Sequence, residues 1–225
     1  NWIGPPGCTL MEASYVPPPV PEMKRALDLF EKYLHEQSIL PPLVRLSIIH
    51  YQFEAIHPFL DGNGRIGRLL ITLLLCSEGL LPQPLLYLSA FFEKHRREYY
   101  EYLLDVSRKG DWNQWIDFFL EATSNQSKDA IMRSDQLLAL WRSYRARVQE
   151  ARASALLLDL VDKLFMYPVL TNKVTSERLS ITPRSTQNNI EKLVSAGILK
   201  EVTGRKRNRV YVAQEIMSII EREDI

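Results

Sequence analysis

Two apolar segments of helical period meet at a twelve-residue turn, His57–Arg68, which reads HPFLDGNGRIGR. Upstream, Leu43, Leu46, Ile49, Phe53 and Ile56 recur at helical spacing after Pro41-Pro42. The helix they predict must stop at His57, because a residue before proline is pushed out of the right-handed helical region. Downstream, Ile66 to Cys76 is apolar nearly all round, the pattern of a helix at the buried centre of an all-α domain. Gly79 then supplies a stop, and Pro82 and Pro84 a break. A chain with this centre is confined to a mainly α architecture, with the turn held between two core helices.

The turn concentrates reactive groups. Gly62, Asn63 and Gly64 precede a helix expected to start near Arg65, and glycines let successive amide hydrogens turn inward as an anion-binding concavity. The following helix aims its partly positive N-terminus at the same spot. Arg65 and Arg68 are three apart, on one helical face, and can add two charge-assisted forks for phosphate oxygens. Asp61 beside them suits a hard cation such as Mg²⁺, which commonly takes one carboxylate together with substrate phosphates. His57 carries an imidazole suited to proton abstraction near neutral pH. Polyphosphate, metal and base are the equipment for attack of a hydroxyl on phosphorus.

Other readings of the same residues compete. GNGRIG satisfies the dinucleotide fingerprint GxGxxG, but that motif needs a strand before it and an acid about 20 positions on. Here the preceding segment is helical in period, and no acid follows until Glu93. No Walker-type phosphate loop occurs, and His57 with Asp61 lacks a third ligand at a recognised transition-metal spacing. A purely structural turn, with its arginines in solvent, stays open.

Elsewhere the chain reads as follows. Residues 1–21 are rich in proline and glycine, a loop or edge hairpin. Met23, Ala26, Leu27, Phe30 and Leu34 predict a helix from Pro21 to about His35, and further helices are expected over Ser89–Arg108 and Trp112–Ser124. A highly charged stretch from about Asp129 to Arg152 reads as a solvated connecting helix. Basic and acidic side chains number 28 and 27, so global charge implies neither a polyanion nor a membrane partner. The apolar run Leu69–Ser77 is too short to span a bilayer. Two distant cysteines, Cys8 and Cys76, imply a reduced, cytoplasmic setting without a disulfide framework. No signal-peptide pattern opens the sequence, and a start at Asn1 rather than Met implies further chain ahead of it.

From Ala155 the pattern changes: helices over Ala155–Phe165 and Val174–Leu179, then a third opened by Thr182-Pro183 and closed by Gly197. Ile198-Leu199 and Val210-Tyr211-Val212 flank the basic run Gly204–Arg209. Three helices and a hairpin resemble the winged helix-turn-helix. That resemblance places Arg184, Gln187 and Asn188 early on a recognition helix and Arg205, Lys206, Arg207 and Arg209 in the wing. Such residues suit DNA bases and phosphates, although the same module also docks proteins or dimerises.

HPFLDGNGR, with a second arginine three residues on, is similar to the signature of the Fic family. The resemblance covers roughly Asn1 to Thr123. It implies a Fic-type helical bundle with a β-hairpin flap and transfer of AMP from ATP to a Ser, Thr or Tyr hydroxyl of a target protein, with self-modification. Under it, 1–124 would be the catalytic domain, 125–153 a connecting helix and 154–225 the winged helix domain. His57 would be the catalytic base, Phe59 would pack in the core to hold the loop, and Asp61 would hold Mg²⁺. Gly62, Asn63, Gly64, Arg65, Ile66, Gly67 and Arg68 would bind the nucleotide. Gly64 favours AMP transfer over the phosphorylating Doc-like branch, which carries lysine there. Tyr99, in HRREYYEYL, resembles a residue bordering the adenine site, and the proline-rich opening resembles the flap that docks the target. An inhibitory motif [ST]xxxE[GN] is not found in the sequence and in this branch would precede Asn1, leaving the site de-inhibited. A homodimer is compatible with the resemblance. The competing reading is a DNA-binding regulator whose Fic-like part senses a nucleotide.

Overall fold

The computed structural model describes residues 2–4, 7–150 and 154–221. It is mainly helical, with one small sheet, and divides into two compact units, Asn1–Ala130 and Ile131–Ile225.

In the first unit, α1 (Val20–His35) has Pro21 in its opening turn, where a missing N–H costs no hydrogen bond. α2 (Pro42–Ile56) and α3 (Asn63–Ser77) carry the turn between them. Leu46, Ile49, Phe53 and Ile56 of α2 form the core with Ile71 and Leu75 of α3 and Trp115 and Phe119 from further along the chain. Trp115 donates its indole N–H to the Ser47 carbonyl at 2.9 Å, so the largest core side chain brings no unpaired polar atom with it. Arg45 ties down the C-terminal carbonyls of α1, donating to Tyr33, Leu34 and Glu36, and pairs with Glu78.

Three expectations need correction here. α3 is not buried on every side: Gly67, Ile71 and Leu75 face the core, whereas Leu69 is 57% exposed and Leu73 also lies outward. The helix expected over Ser89–Arg108 is two, α4 (Leu88–Lys94) and α5 (Arg96–Lys109), because His95 leaves helical dihedrals between them. There the His95 ring stacks on Phe91 and its Nδ1 meets Glu98. Trp112–Ser124 and the charged stretch after it are one helix, α6 (Trp112–Glu150). Residues 125–128 contain no glycine or proline to break it, and Thr123 and Gln126 are buried along it.

The boundary between the units therefore falls inside α6 rather than at either end of a connector. The segment read as solvated puts Tyr144 and Val148 into the core of the second unit, beside Leu137 and Leu140. Its expected end at Arg152 lies outside the described residues.

Within the second unit, α7 (Ala155–Leu164) is capped by Ser154, whose hydroxyl accepts from the Leu157 N–H. β1 (Val169–Thr171), which no sequence pattern announced, leads to α8 (Asn172–Leu179) and α9 (Pro183–Ser195). Thr182 caps α9 by accepting from the Ser185 N–H, with Pro183 at the first helical position. β2 (Lys200–Glu201) and β3 (Val210–Val212) complete an antiparallel sheet of order β1-β3-β2, in which Tyr211 is paired with Leu170 and Glu201. α10 (Gln214–Ile220) follows. Asp162 accepts from Trp141 and Arg145, tying α7 to α6. Among the described residues no helix is long and apolar enough to cross a membrane.

Candidate active site

The site is built at the meeting of α2 and α3. His57 ends α2 in the left-handed region, φ 47°, ψ 58°, a conformation uncommon for a residue with a side chain. The following proline removes the right-handed alternative. In the tautomer protonated at Nδ1, that nitrogen donates to the Glu54 carbonyl at 3.3 Å, and Nε2 is then the basic nitrogen. Burial lowers the His57 pKa from its ordinary value, with the Glu54 carbonyl opposing. The imidazole is thus neutral, and basic, at neutral pH.

Gly62, at φ 86°, turns the chain into α3, which begins at Asn63 rather than near Arg65. Asn63 is 2% exposed. Its Oδ1 accepts from the Phe59 N–H at 2.8 Å and its Nδ2 donates to the Phe59 carbonyl at 2.7 Å. The expectation that the Phe59 ring holds the loop from the core is corrected: Phe59 is 45% exposed. The loop is instead clamped through the Phe59 backbone, by the Asn63 side chain.

The first turn of α3 leaves amide hydrogens without intrahelical acceptors. Two guanidinium groups stand over it. A methyl at Gly62 would lie 3.4 Å from Arg65 Nη2, and one at Gly64 would lie 3.0 Å from Arg68 Nη1. The Asp61 carboxylate is exposed at the same edge, accepting from the Gly62 N–H at 2.7 Å and from Arg65 at 3.1 Å. Amides, arginines and helix dipole together suit an anion, and this candidate site is called the anion site below. Two neighbours assigned to the nucleotide do other work. The Ile66 N–H is spent on the Gly62 carbonyl, and Gly67 is buried against Phe53, His50 and Glu54.

Beside this anion site lies a cavity of about 530 Å³ between the N-terminal segment, α2 and α5. Among the described residues the segment folds back through one bridge, Ile3 to Tyr15, and shows no hairpin of full strands; Tyr15 anchors it by donating to the Ala55 carbonyl at 2.7 Å. Tyr99 does not line the cavity. It is 3% exposed and its hydroxyl meets His50 Nε2 at 2.9 Å in the core. Its neighbour Tyr100, 48% exposed, is the tyrosine at the cavity wall. Burial pushes His50 down to about 3, so that it is neutral.

Glu54 also lines the cavity, yet its Oε1 is buried without a hydrogen-bond partner. Burial raises its carboxyl to about 7, against the opposing charge of Arg68. Glu54 and Tyr15 stand out by no motif in the sequence, and of the pair Tyr99-Tyr100 it is the second that meets the cavity. The one signal for Glu54 was an acid four residues after His50 on an otherwise apolar helix.

Residues 9–75 of the chain match the Fic/DOC family. The chain is 36% identical over 111 residues to the "Protein adenylyltransferase Fic" of Culex quinquefasciatus, 48% of this chain and 21% of that protein. It is 32% identical over 130 residues to the protein of the same name from Nematostella vectensis, 57% of this chain and 29% of that one. This chain therefore matches less than a third of the length of these relatives. A crystal structure of a Fic family protein from Desulfovibrio desulfuricans G20 covers 88% of this chain and is itself covered to 56%. It is 21% identical with a TM-score of 0.49, a likeness that carries no argument by itself.

The Fic/DOC match includes the whole turn from His57 to Arg68 and ends before Tyr99 and before the second unit. In that unit, Gln187, Lys206, Arg207 and Arg209 line one groove with Lys173. Arg184, Asn188 and Arg205 are exposed but lie outside it. Gln187 is engaged inside the unit, donating to Glu191 and Tyr211 and accepting from Asn172. Arg209 donates to the Arg205 carbonyl.

Proposed function

We propose that this chain is a protein adenylyltransferase, moving AMP from ATP to a Ser, Thr or Tyr hydroxyl of a target protein and to itself. The observation that carries this reading is the placing of a neutral His57, oriented by the Glu54 carbonyl, directly ahead of an anion site roofed by Arg65 and Arg68. The named relatives support AMP as the group transferred. The target oxygen attacks the α-phosphorus, its proton passes to His57 Nε2, and the bond to pyrophosphate breaks. Arg65, Arg68 and the first-turn amides hold the charge that collects on the leaving group. The nucleoside occupies the cavity beside Tyr100. The N-terminal segment presents the edge along which a target segment lies.

Asp61 fits Mg²⁺, since its carboxylate is exposed at the mouth of the anion site and one carboxylate with substrate phosphates is a common way to hold this ion. The ion would neutralise phosphate charge.

Incubation with α-labelled ATP and Mg²⁺ tests the reading. Self-labelling is expected from the unmodified chain and none from His57→Ala of the same melting profile; equal labelling of both would reject it.

A second reading rests on the groove of Lys173, Lys206, Arg207 and Arg209. The order of helices and strands in this unit supports a winged helix, and the groove suits DNA phosphates. On this reading the chain is a DNA-binding regulator whose Fic/DOC domain senses a nucleotide. Duplex binding that weakens steeply with salt would support it, and no binding at low salt would remove it.

A further inference from the structure

One ionisable group at the anion site has no part in the reaction proposed above. Glu54, near the end of α2, directs its carboxyl onto the start of α3. A methyl at Gly67 would overlap Glu54 Oε1, so α3 has room for this oxygen only because position 67 lacks a side chain. A methyl at Gly64 would lie 3.8 Å from Glu54 Oε1 and 3.0 Å from Arg68 Nη1. Carboxyl and guanidinium thus face the same missing side chain. The described residues nevertheless include no ion pair between the two, and no partner for Oε1.

Arg68 approaches Glu54 from α3, His50 belongs to its own helix, and Tyr99 approaches from α5. Tyr15, Arg96 and Glu101 share the cavity that it lines. Arg68 is the charge that acts on it, and burial outweighs that charge.

We infer that Glu54 belongs to the polyphosphate site and must carry its proton for the site to accept a polyphosphate, so that nucleotide binding takes up a proton at this residue. The inference rests on the nucleotide reading of the site. Phosphates bound at Arg68 place negative charge beside the carboxyl in a poorly solvated setting, which disfavours its ionised form. They also neutralise Arg68, whose charge favours ionisation. Both effects act in the same direction. Below about pH 7 the free protein already holds this proton, and affinity is insensitive to it. Above that pH, binding must recruit the proton, and affinity falls by up to about tenfold per pH unit.

The test is calorimetric titration of the full chain with ATP, in the His57→Ala background to prevent turnover. Measurements at pH 8 in two buffers of different ionisation heat are expected to give uptake approaching about one proton per nucleotide. A further Glu54→Gln substitution should abolish the uptake and flatten the decline of affinity between pH 7 and 8.5. The comparison also cancels titration of the nucleotide's own phosphates. The same uptake and slope with and without the carboxyl would overturn the inference while leaving the nucleotide site standing. Absence of ATP binding in either protein would overturn the site reading and the inference together. Infrared difference spectra on adding ATP at pH 8 give an answer that needs no Glu54 variant: a new band of a protonated carboxylic acid is expected, and its absence would equally overturn the inference.

Discussion

The Asn63 amide closes on the Phe59 backbone from both sides, accepting from its N–H at 2.8 Å and donating to its carbonyl at 2.7 Å. This pair of bonds, at a buried side chain, ties the turn carrying His57 to the first residue of α3. Asn63→Ala removes both and leaves the Phe59 groups to find water. The expected loss is about 1–3 kcal/mol of stability. Asn63→Asp keeps the acceptor but loses the donor and adds a negative charge at the anion site. It is expected to weaken ATP binding more than its stability loss accounts for. Urea denaturation with ATP titration separates the two effects, and equal ATP affinity in Asn63→Asp and the unmodified chain would refute the placement of the anion site.

Gly64 and Gly67 lie one helical turn apart and are expected to fail differently. A methyl at Gly67 meets Phe53 Cδ1 at 3.1 Å and His50 Cε1 at 3.3 Å, besides overlapping Glu54 Oε1. Gly67→Ala must push α3 away from α2, at a cost of about 1–3 kcal/mol. A methyl at Gly64 meets chiefly the mobile end of Arg68. Gly64→Ala should therefore barely alter the denaturation midpoint but should lower ATP affinity by displacing that guanidinium. The reverse pattern would show that the two glycines have been assigned the wrong roles.

Much of the site was legible because backbone chemistry dictated it. Pro58 forced His57 out of α2, and the spacing of Arg65 and Arg68 put both cations over the same turn. Thr182-Pro183 opened α9 as its cap chemistry requires. What stayed hidden depended on tertiary packing. Which of two adjacent tyrosines faces inward is a matter of helix phase, and α5 buries Tyr99 and Val106, two turns apart, leaving Tyr100 to the cavity. The resemblance made Phe59 a core anchor, but the neighbouring Asn63 holds the loop through hydrogen bonds to the Phe59 backbone. α6 continues through 125–128 because nothing there breaks it and Thr123 and Gln126 are buried along it, so the two helices expected on either side are one.

The rate of self-modification is expected to follow the ionisation of His57 on its acidic side. Its pKa is lowered, chiefly by burial, so the base remains unprotonated at pH values where an ordinary histidine would begin to lose activity. The acidic decline of kcat/KM should therefore be centred below pH 6.5, the ordinary histidine value. A decline centred above pH 6.5 would mean that the imidazole is more solvated, or differently paired, than the structure places it.

Glu54 also makes stability depend on pH. Its carboxyl titrates near 4.5 when unfolded and at about 7 in the folded protein. Between those values the folded chain holds a proton that the unfolded chain has released, so stability falls as pH rises through this window and levels off above it. The span corresponds to a loss on the order of 3 kcal/mol, since one pKa unit is worth roughly 1.4 kcal/mol. Glu54→Gln resembles the neutral acid and cannot ionise. It should match the unmodified chain at pH 4 and exceed it by about 3 kcal/mol at pH 8, as read from urea denaturation. His50 and His57, whose pKa values are both lowered, contribute on the acidic side in both proteins and cancel in the comparison. Parallel stability curves across pH 4 to 8 would mean that the carboxyl is solvated, and would remove the basis for a protonated Glu54 at the anion site.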